Sequence, residues 1–349
     1  MSGGVDSSLA ACLLHEQGYD VTGLFMRTGA HAEAGTDAEP DRHRGCCSAA
    51  DASDARAVAG RLGIPFFALN FAEPFERIID YFADEYVRGR TPNPCVMCNE
   101  RLKFGRLVDY GRAVGADFIA TGHYARIEPR GGRYRLLRAV DARKDQSYVL
   151  FGIPPDALAR TLFPIGHLTK EQVREQARRR GLPVADKPDS VDICFVPDRD
   201  YARVVRQRRP EAFIEGPVLD QAGREVGRHA GIPNYTIGQR QGLGIALGLP
   251  VYVTRIDAVN HTITLGPREQ LARSSLTASG ARWLIARPSG PFRASVKIRY
   301  AHAGAAASVE PLGPDRFAVA FDEPQTAVTP GQAAVLYDRD VVLGGGWIE

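Results

Sequence analysis

The sequence predicts an α/β protein: a doubly wound parallel sheet first, then a small β-rich central domain, then a C-terminal β-barrel. Three observations carry this. Short apolar runs alternate with helix-spaced apolar residues through the first half. Gly, Pro and short β-runs take over from about residue 210. From about residue 280 the pattern is wholly β.

In order along the chain, Leu9, Cys12 and Leu13 mark a first helix, with Gly18 past its end. "VTGLFM", "PFFALNF" and "FIATGH" read as buried parallel strands. Between them, Ala55, Val58, Ala59 and Leu62 repeat at helical spacing up to Gly63, and Phe75, Ile78, Ile79, Phe82 and Tyr86 do so up to Gly89. Such a sheet places ligands beyond the carboxyl ends of its strands. "GAHAEAGTDAEPDRHRG" reads as an irregular, mobile insertion. Later, "PVLDQAGREVG", "VYVTRID" and "TITLGP" are strand-like. Val296, Ile298 and Tyr300 then alternate with Ser295, Lys297 and Arg299, ahead of "FAVAF", "AAVLY" and "DVVLGG". Domains are expected at 1–208, 209–276 and 277–349.

The chain has 349 residues, 44% hydrophobic and 24% charged, with no membrane-length apolar run and no signal peptide. Six cysteines (Cys12, Cys46, Cys47, Cys95, Cys98, Cys194) are too sparse for a disulfide scaffold and fit a reducing cytoplasm. A net charge of +3 does not identify a nucleic-acid binder. "RDYARVVRQRR" is locally basic, and a helix there would align Arg199, Arg203 and Arg206 on one face.

The chain opens on Met1-Ser2-Gly3-Gly4-Val5-Asp6-Ser7, small residues leading into the first helix. Glycines allow close backbone approach, so N–H groups and the positive helix end can face phosphate oxygens. The loop has no Lys and is not the Walker A pattern. A plain helix cap through Asp6 or Ser7 is the competing reading.

"GRTPNPCVMCNERLKFG" places Cys95 and Cys98 as CxxC after a Pro-rich turn and ahead of a helix. A thiol there, near Arg101 and Lys103, should be partly thiolate. Cys194 sits in "DKPDSVDICFVP", on a short β-like run. Zinc lacks a convincing fourth ligand, three thiolates could hold an iron–sulfur cluster, and a persulfide carrier with a resolving thiol is the remaining reading. Cys12 belongs to the apolar face of the first helix; Cys46 and Cys47 stay unassigned.

S-G-G-x-D-S resembles the PP-loop of the ATP pyrophosphatases, which implies a fold like that of the adenine nucleotide α hydrolases. Together with "GCCS", "GRTPNPCVMCN", "ATGHYARI", "KDQSYVLF", "LFPIGHLTK", "DKPDSVDICF", "YTIGQRQGLGI", "KIRY" and "FDEPQTAVTPGQ…LGGGWIE", in that order, the chain resembles the tRNA-specific 2-thiouridylases over essentially its whole length.

The resemblance implies a cytoplasmic tRNA-modifying sulfurtransferase that 2-thiolates the wobble uridine. ATP with Mg2+ adenylates the C2 oxygen, and a persulfide donor (a cysteine desulfurase or sulfur-relay protein) supplies sulfur. It implies Cys194 as persulfide carrier and Cys98 as partner thiol, ending in a Cys98–Cys194 disulfide. Residues 1–7 with Met26 and Gly122 would hold ATP. Asn93, Pro94 and Cys95 would lie against the target base, and His123, Lys144, Asp145, Gln146, Arg299, Tyr300 and Gln332 would contact tRNA. The basic stretch near Arg203 would track phosphates. The central domain and barrel would hold the anticodon arm while the base is flipped out.

Two departures matter. Cys95 stands where some family members carry Asp, which keeps open an iron–sulfur-dependent thiolase with Cys95, Cys98 and Cys194 as ligands. The family's short strand before the loop is missing here. A start codon placed too late, or else a true truncation, is the expected cause, with weaker ATP binding and folding than in an upstream-extended chain. A PP-loop amidotransferase or synthetase acting on a small molecule, and a noncatalytic iron–sulfur or RNA-binding module, are the other readings.

Overall fold

A computed structural model describes residues 1–29, 48–189, 193–245 and 248–349. Cys46, Cys47 and all of the expected insertion but Gly29 lie outside those residues. The chain divides into two compact units. Unit 1 comprises Met1–Ile78, Cys95–Arg199 and Asp340–Val342; unit 2 comprises Ile79–Pro94, Asp200–Arg339 and Leu343–Glu349.

Unit 1 starts with α1 (Val5–Glu16), β1 (Gly23–Arg27), α2 (Ala49–Leu62) and β2 (Phe66–Asn70). β1 and β2 pair in parallel, Gly23 opposite Phe66 through Arg27 opposite Asn70. The periodicity of α2 is explained by its burial: Ala55 and Val58 are fully enclosed and Ala59 nearly so. Ser48 and Asp51 start this helix with a reciprocal capping box, and Gly63 ends it. Phe67 of β2 is half exposed, unlike the buried strand expected, because β2 pairs only with β1 among the described residues. α3 (Ala72–Val87) follows, with Phe75, Ile78, Ile79, Phe82 and Tyr86 all buried, as their spacing requires.

The CxxC segment is the start of a long helical stretch: α4 (Pro94–Met97), a π-helical segment Cys98–Arg106, then α5 (Leu107–Ala113). Pro94 suits the first helical position, where no N–H partner is needed. β3 (Ile119–Ala120) comes next. A hairpin of β4 (Ala125–Arg130) and β5 (Arg133–Arg138), turning at Gly131-Gly132, was not anticipated from the sequence. α6 (Pro155–Leu158) leads to β6 (Thr161–Leu162), parallel to β3, and then to α7 (Lys170–Arg179), capped by Thr169 and Gln172. α1, the face of α7 at Val173 and Ala177, and Leu182, Val184 and Ala185 form one apolar cluster. Cys12 is buried in it, as expected, and burial followed by the neighbouring Glu16 pushes its thiol pKa up.

Unit 2 contains α8 (Tyr201–Arg208), then β7 (Gly216–Leu219), β8 (Glu225–His229), β9 (Tyr252–Asp257) and β10 (Thr262–Gly266). These four strands form a sheet in the order β8-β7-β10-β9, packed on Val218, Val253, Ile263 and Leu265. β11 (Ala272–Trp283), β12 (Phe292–Lys297), β13 (Ala305–Pro311), β14 (Arg316–Thr326), β15 (Ala333–Asp338) and β16 (Val341–Ile348) run in the order β11-β14-β13-β12-β15-β16. β16 returns to β11, Ala278 opposite Ile348 and Trp283 opposite Gly344, closing a six-stranded barrel. Closure leaves none of the six as a free edge. The expected alternation breaks at Lys297: Val296, Lys297 and Ile298 are all buried, because β12 ends there and the chain turns.

Candidate active site

The loop that opens the chain is drawn shut by its own hydroxyls. Ser2 N donates to Ser7 Oγ at 3.0 Å, and Ser7 and Ser8 hydroxyls both donate to the Gly4 carbonyl, at 3.3 and 2.8 Å. Gly4 precedes α1 in extended conformation with no side-chain cap. Ser7 and Asp6 spend their side chains elsewhere, and among the described residues neither caps a first-turn N–H group, so the simple capping reading fails. A Cβ on Gly3, whose φ is +72°, would meet Asp51 O at 2.2 Å, so only glycine fits.

Gly122 follows β3 and presses against the same helix end: a Cβ there would lie 2.5 Å from Ser7 N and 2.6 Å from the Asp6 carbonyl carbon. Met26 is half-buried near the carboxyl end of β1. Thr28, just beyond, is buried, and its hydroxyl has no hydrogen-bond partner among the described residues. An uncapped helix N-terminus, a glycine-only cradle and an unspent buried hydroxyl at a strand end fit a nucleotide.

Ion pairs brace the loop. Lys170 donates to both Asp6 oxygens at 2.8 Å and reaches Asp189 at 2.9 Å. Tyr124 Oη donates to Asp6 at 2.7 Å; burial, then the Asp6 charge, pushes its pKa up. Lys187 donates to Gly3 O at 3.1 Å and to Asp51 and Asp54 at 2.6 and 2.5 Å. Burial works against its charge, but these carboxylates raise its pKa. Asp189 also receives Lys144 at 2.7 Å and Arg174 at 2.8 Å. Nothing in the sequence pattern announced Lys170, Lys187, Tyr124 or Asp189 individually, though they lie in "LTK", "DKPD" and "HYA" next to motif residues.

Cys95 and Cys98, three apart on one helix, are both half-buried and in no disulfide. The helix is pinned by Asn99, whose Nδ2 donates to Val149 O at 3.0 Å. Cys194 is likewise half-buried and in no disulfide. It lies in a turn, with Val196 N bonded to Ile193 O at 2.9 Å, rather than on the β-run expected; Phe195 anchors that turn edge-on against Phe75. Among the described residues no group of three or more His, Cys, Asp and Glu could hold a metal ion, so Cys95, Cys98 and Cys194 are not gathered as cluster ligands.

His123 is buried, its Nε2 3.3 Å from Lys103 Nζ and its Nδ1 2.8 Å from Thr121 Oγ1. Burial, then the Lys103 charge, holds its pKa well below 6.5. Neutral His123 accepts from Lys103 at Nε2 and donates from Nδ1 to Thr121. Asp145 is buried and spends both oxygens locally, on Ala139 N, Ser147 N and Ser147 Oγ. Gln146 clamps Tyr124, accepting its N–H at 2.9 Å while Gln146 N donates to Tyr124 O. Lys144 and Gln146, on either side of buried Asp145, are both half-buried.

In unit 2, Gln332 Nε2 donates to Thr91 O and Pro92 O, each 3.1 Å, beside the half-buried Asn93. Arg299 and Tyr300 are exposed, and Arg299 donates to Thr326 O at 3.1 Å. The basic stretch is not the uniform face expected. Arg199 falls outside α8 with φ +62°, Arg206 stacks over Phe213 at 4.0 Å, and Arg209 pairs with Asp84 and Asp80 at 2.9 and 3.4 Å.

A glycine-rich loop feeding the uncapped end of α1, beside parallel strands, defines an adenine-nucleotide-binding domain of the PP-loop class. The family described as tRNA methyl transferase HUP domain matches residues 1–198, the tRNA methyl transferase PRC-barrel domain matches 202–267, and the aminomethyltransferase β-barrel domain matches 273–348. Proteins named tRNA-specific 2-thiouridylase MnmA are similar to the whole chain. That of Chloroflexus aggregans is 51% identical, covering 100% of this chain and 96% of its own. That of Symbiobacterium thermophilum is 48% identical, covering 100% and 90%. That of Roseiflexus castenholzii is 49% identical, covering 100% and 97%. The chain belongs to the tRNA-specific 2-thiouridylase family. No helix among the described residues is long and apolar enough to cross a membrane.

Proposed function

We propose that Cys98 and Cys194, two half-buried cysteines of unit 1, carry the sulfur chemistry of a tRNA-uridine 2-sulfurtransferase. The observation that supports this most is that both thiols belong to the same compact unit as the uncapped N-terminus of α1. A carbonyl oxygen leaves only after activation, and ATP supplies that when O2 of the wobble uracil attacks its α-phosphorus, breaking the α–β phosphoanhydride bond and releasing pyrophosphate. The persulfide sulfur on Cys194 attacks C2, and AMP departs with the oxygen. Cys98 thiolate then attacks the Cys194 sulfur, breaking the S–S bond so that the outer sulfur stays on C2 and a Cys98–Cys194 disulfide forms. An external dithiol reduces it, and a persulfide donor, a cysteine desulfurase or sulfur-relay protein, reloads Cys194.

Residues 1–7, Met26 and Gly122 hold the nucleotide. Mg2+ in such sites is bound mostly by the substrate's phosphates and would enter with ATP. Asn93, Pro94 and Cys95 receive the flipped base. His123, Lys144, Gln146, Arg299, Tyr300 and Gln332 position tRNA, and Asp145 acts by holding the turn that presents Lys144. Residues 209–276 and 277–349 serve as tRNA-holding domains.

The test is mass spectrometry of nucleosides from unmodified tRNA incubated with ATP, Mg2+ and a persulfide source on metal-free protein. 2-Thiouridine with the parent and with neither Cys98→Ser nor Cys194→Ser is the expected result. Product only after anaerobic iron–sulfur reconstitution would overturn the two-thiol route.

A further inference from the structure

The chain has five lysines, four of them in unit 1. Lys144, Lys170 and Lys187 are each held by carboxylates. Lys103 is the exception: among the described residues no carboxylate lies within 4.0 Å of it, and its only hydrogen-bond partner is the neutral His123. An ammonium has three donors. One is spent on an imidazole nitrogen, which neutralises nothing.

Its position is set by two features. His123 follows Gly122, where an added Cβ would meet Ser7 N and the Asp6 carbonyl carbon at the head of α1, so the Lys103–His123 bond brings the cation toward the nucleotide loop. The second feature is the π-helical stretch Cys98–Arg106, closed by the bond from Leu107 N to Leu102 O. In an α-helix, positions five apart point in different directions. Hydrogen bonding from i to i+5 widens the turn and brings them back toward one face, so Lys103 moves toward the side of Cys98.

We propose that Lys103 supplies the cation that the lysine-free loop lacks, donating to a phosphate of the bound nucleotide. The inference rests on the ATP-dependent reading above. The loop's own charge, Asp6, is already matched by Lys170, which leaves that lysine committed, whereas Lys103 is held by no carboxylate among the described residues. During adenylyl transfer, charge grows on the α-phosphate oxygens, and a fixed, carboxylate-free ammonium stabilises it.

The experiment is calorimetric titration of the full chain with ATP, AMP and adenosine, in the parent, Lys103→Met and Lys103→Arg, with the 31P shift of bound AMP as a second readout. The expected result is a loss of about tenfold or more for ATP and AMP in Lys103→Met. Adenosine binding should be unchanged, Lys103→Arg should retain most of the affinity, and the bound-AMP 31P signal should move between parent and Lys103→Arg. Equal losses for ATP and adenosine, or unchanged ATP affinity, would overturn the proposal while leaving the thiolation reading intact. A parent chain that binds no ATP overturns both.

Discussion

Lys170 grips both carboxylate oxygens of Asp6 at 2.8 Å across 164 residues of sequence. Asp6 is thereby a strut between the nucleotide loop and α7, with Tyr124 as a second hold. Asp6→Asn keeps the shape but loses the charge facing a lysine that is only 10% exposed. It should cost about 1–3 kcal/mol, seen as a drop of several degrees in Tm. ATP affinity should fall with it as the loop loosens. An unchanged Tm would show that Asp189 alone satisfies Lys170.

Gly122→Ala tests the cradle directly. The new methyl carbon would sit 2.5 Å from Ser7 N and 2.6 Å from a carbonyl carbon, and backbone cannot swing aside as a side chain does. Displacing the head of α1 should cost about 1–3 kcal/mol. It should also weaken ATP binding more than tRNA binding, as read by parallel titrations. Equal weakening of both would point to general unfolding instead.

Asp189 makes a prediction about acid. Burial would push its pKa up, but hydrogen bonds from Lys144 and Lys170 and their charges bring it from 3.8 down to about 2. A carboxylate with a depressed folded pKa stabilises the protein above its unfolded pKa, and that contribution is lost as pH falls toward the folded value. Denaturation followed from pH 5 to pH 2 should show a shallower loss of stability in Asp189→Asn than in the parent. Parallel curves would mean that Asp189 is not linked to folding.

His123 should stay neutral throughout the physiological range, because burial and then Lys103 lower its pKa well below 6.5. Its ring signals in NMR should not titrate between pH 6 and 8. Here the sign favours alkali: the unfolded chain binds a proton that the folded one refuses, so stability declines as pH drops below about 6.5. A titration midpoint near 6.5 for His123 would contradict the buried Lys103–His123 pair.

What could be read from the sequence was mostly local. The Ala55, Val58, Ala59 spacing with Gly63 as stop found α2, and the small residues from Ser2 to Ser7 found the loop, because each depends on neighbours within a few positions. Cys194 was misplaced on a strand because Ile193 and Phe195 are apolar; the fold spends them on a turn pinned by Phe75, more than a hundred residues earlier. The Asp6–Lys170 and Lys187–Asp51 pairs left no local trace either, since side-chain charge pairing across such separations has no periodicity. The π-helical stretch was hidden for another reason. "CNERLKFGR" reads as ordinary helix, and Gly105, where a Cβ would come 3.0 Å from Glu100 O, is the one residue that hints at the widened turn.

The membership of Asp340–Val342 in unit 1 has a consequence for biosynthesis. Arg126 pairs with Asp340 at 3.0 Å, Arg138 N donates to Asp340 O, and Val341 lies opposite Leu137 on the β4–β5 hairpin. A nascent chain that has delivered the nucleotide loop, the CxxC helix and Cys194 still lacks these three residues until β11 to β15 have been made. The hairpin waits on the ribosome for its partner, and contacts spanning some two hundred residues form late. Assembly of the nucleotide-binding unit therefore finishes only after the barrel strands have been made.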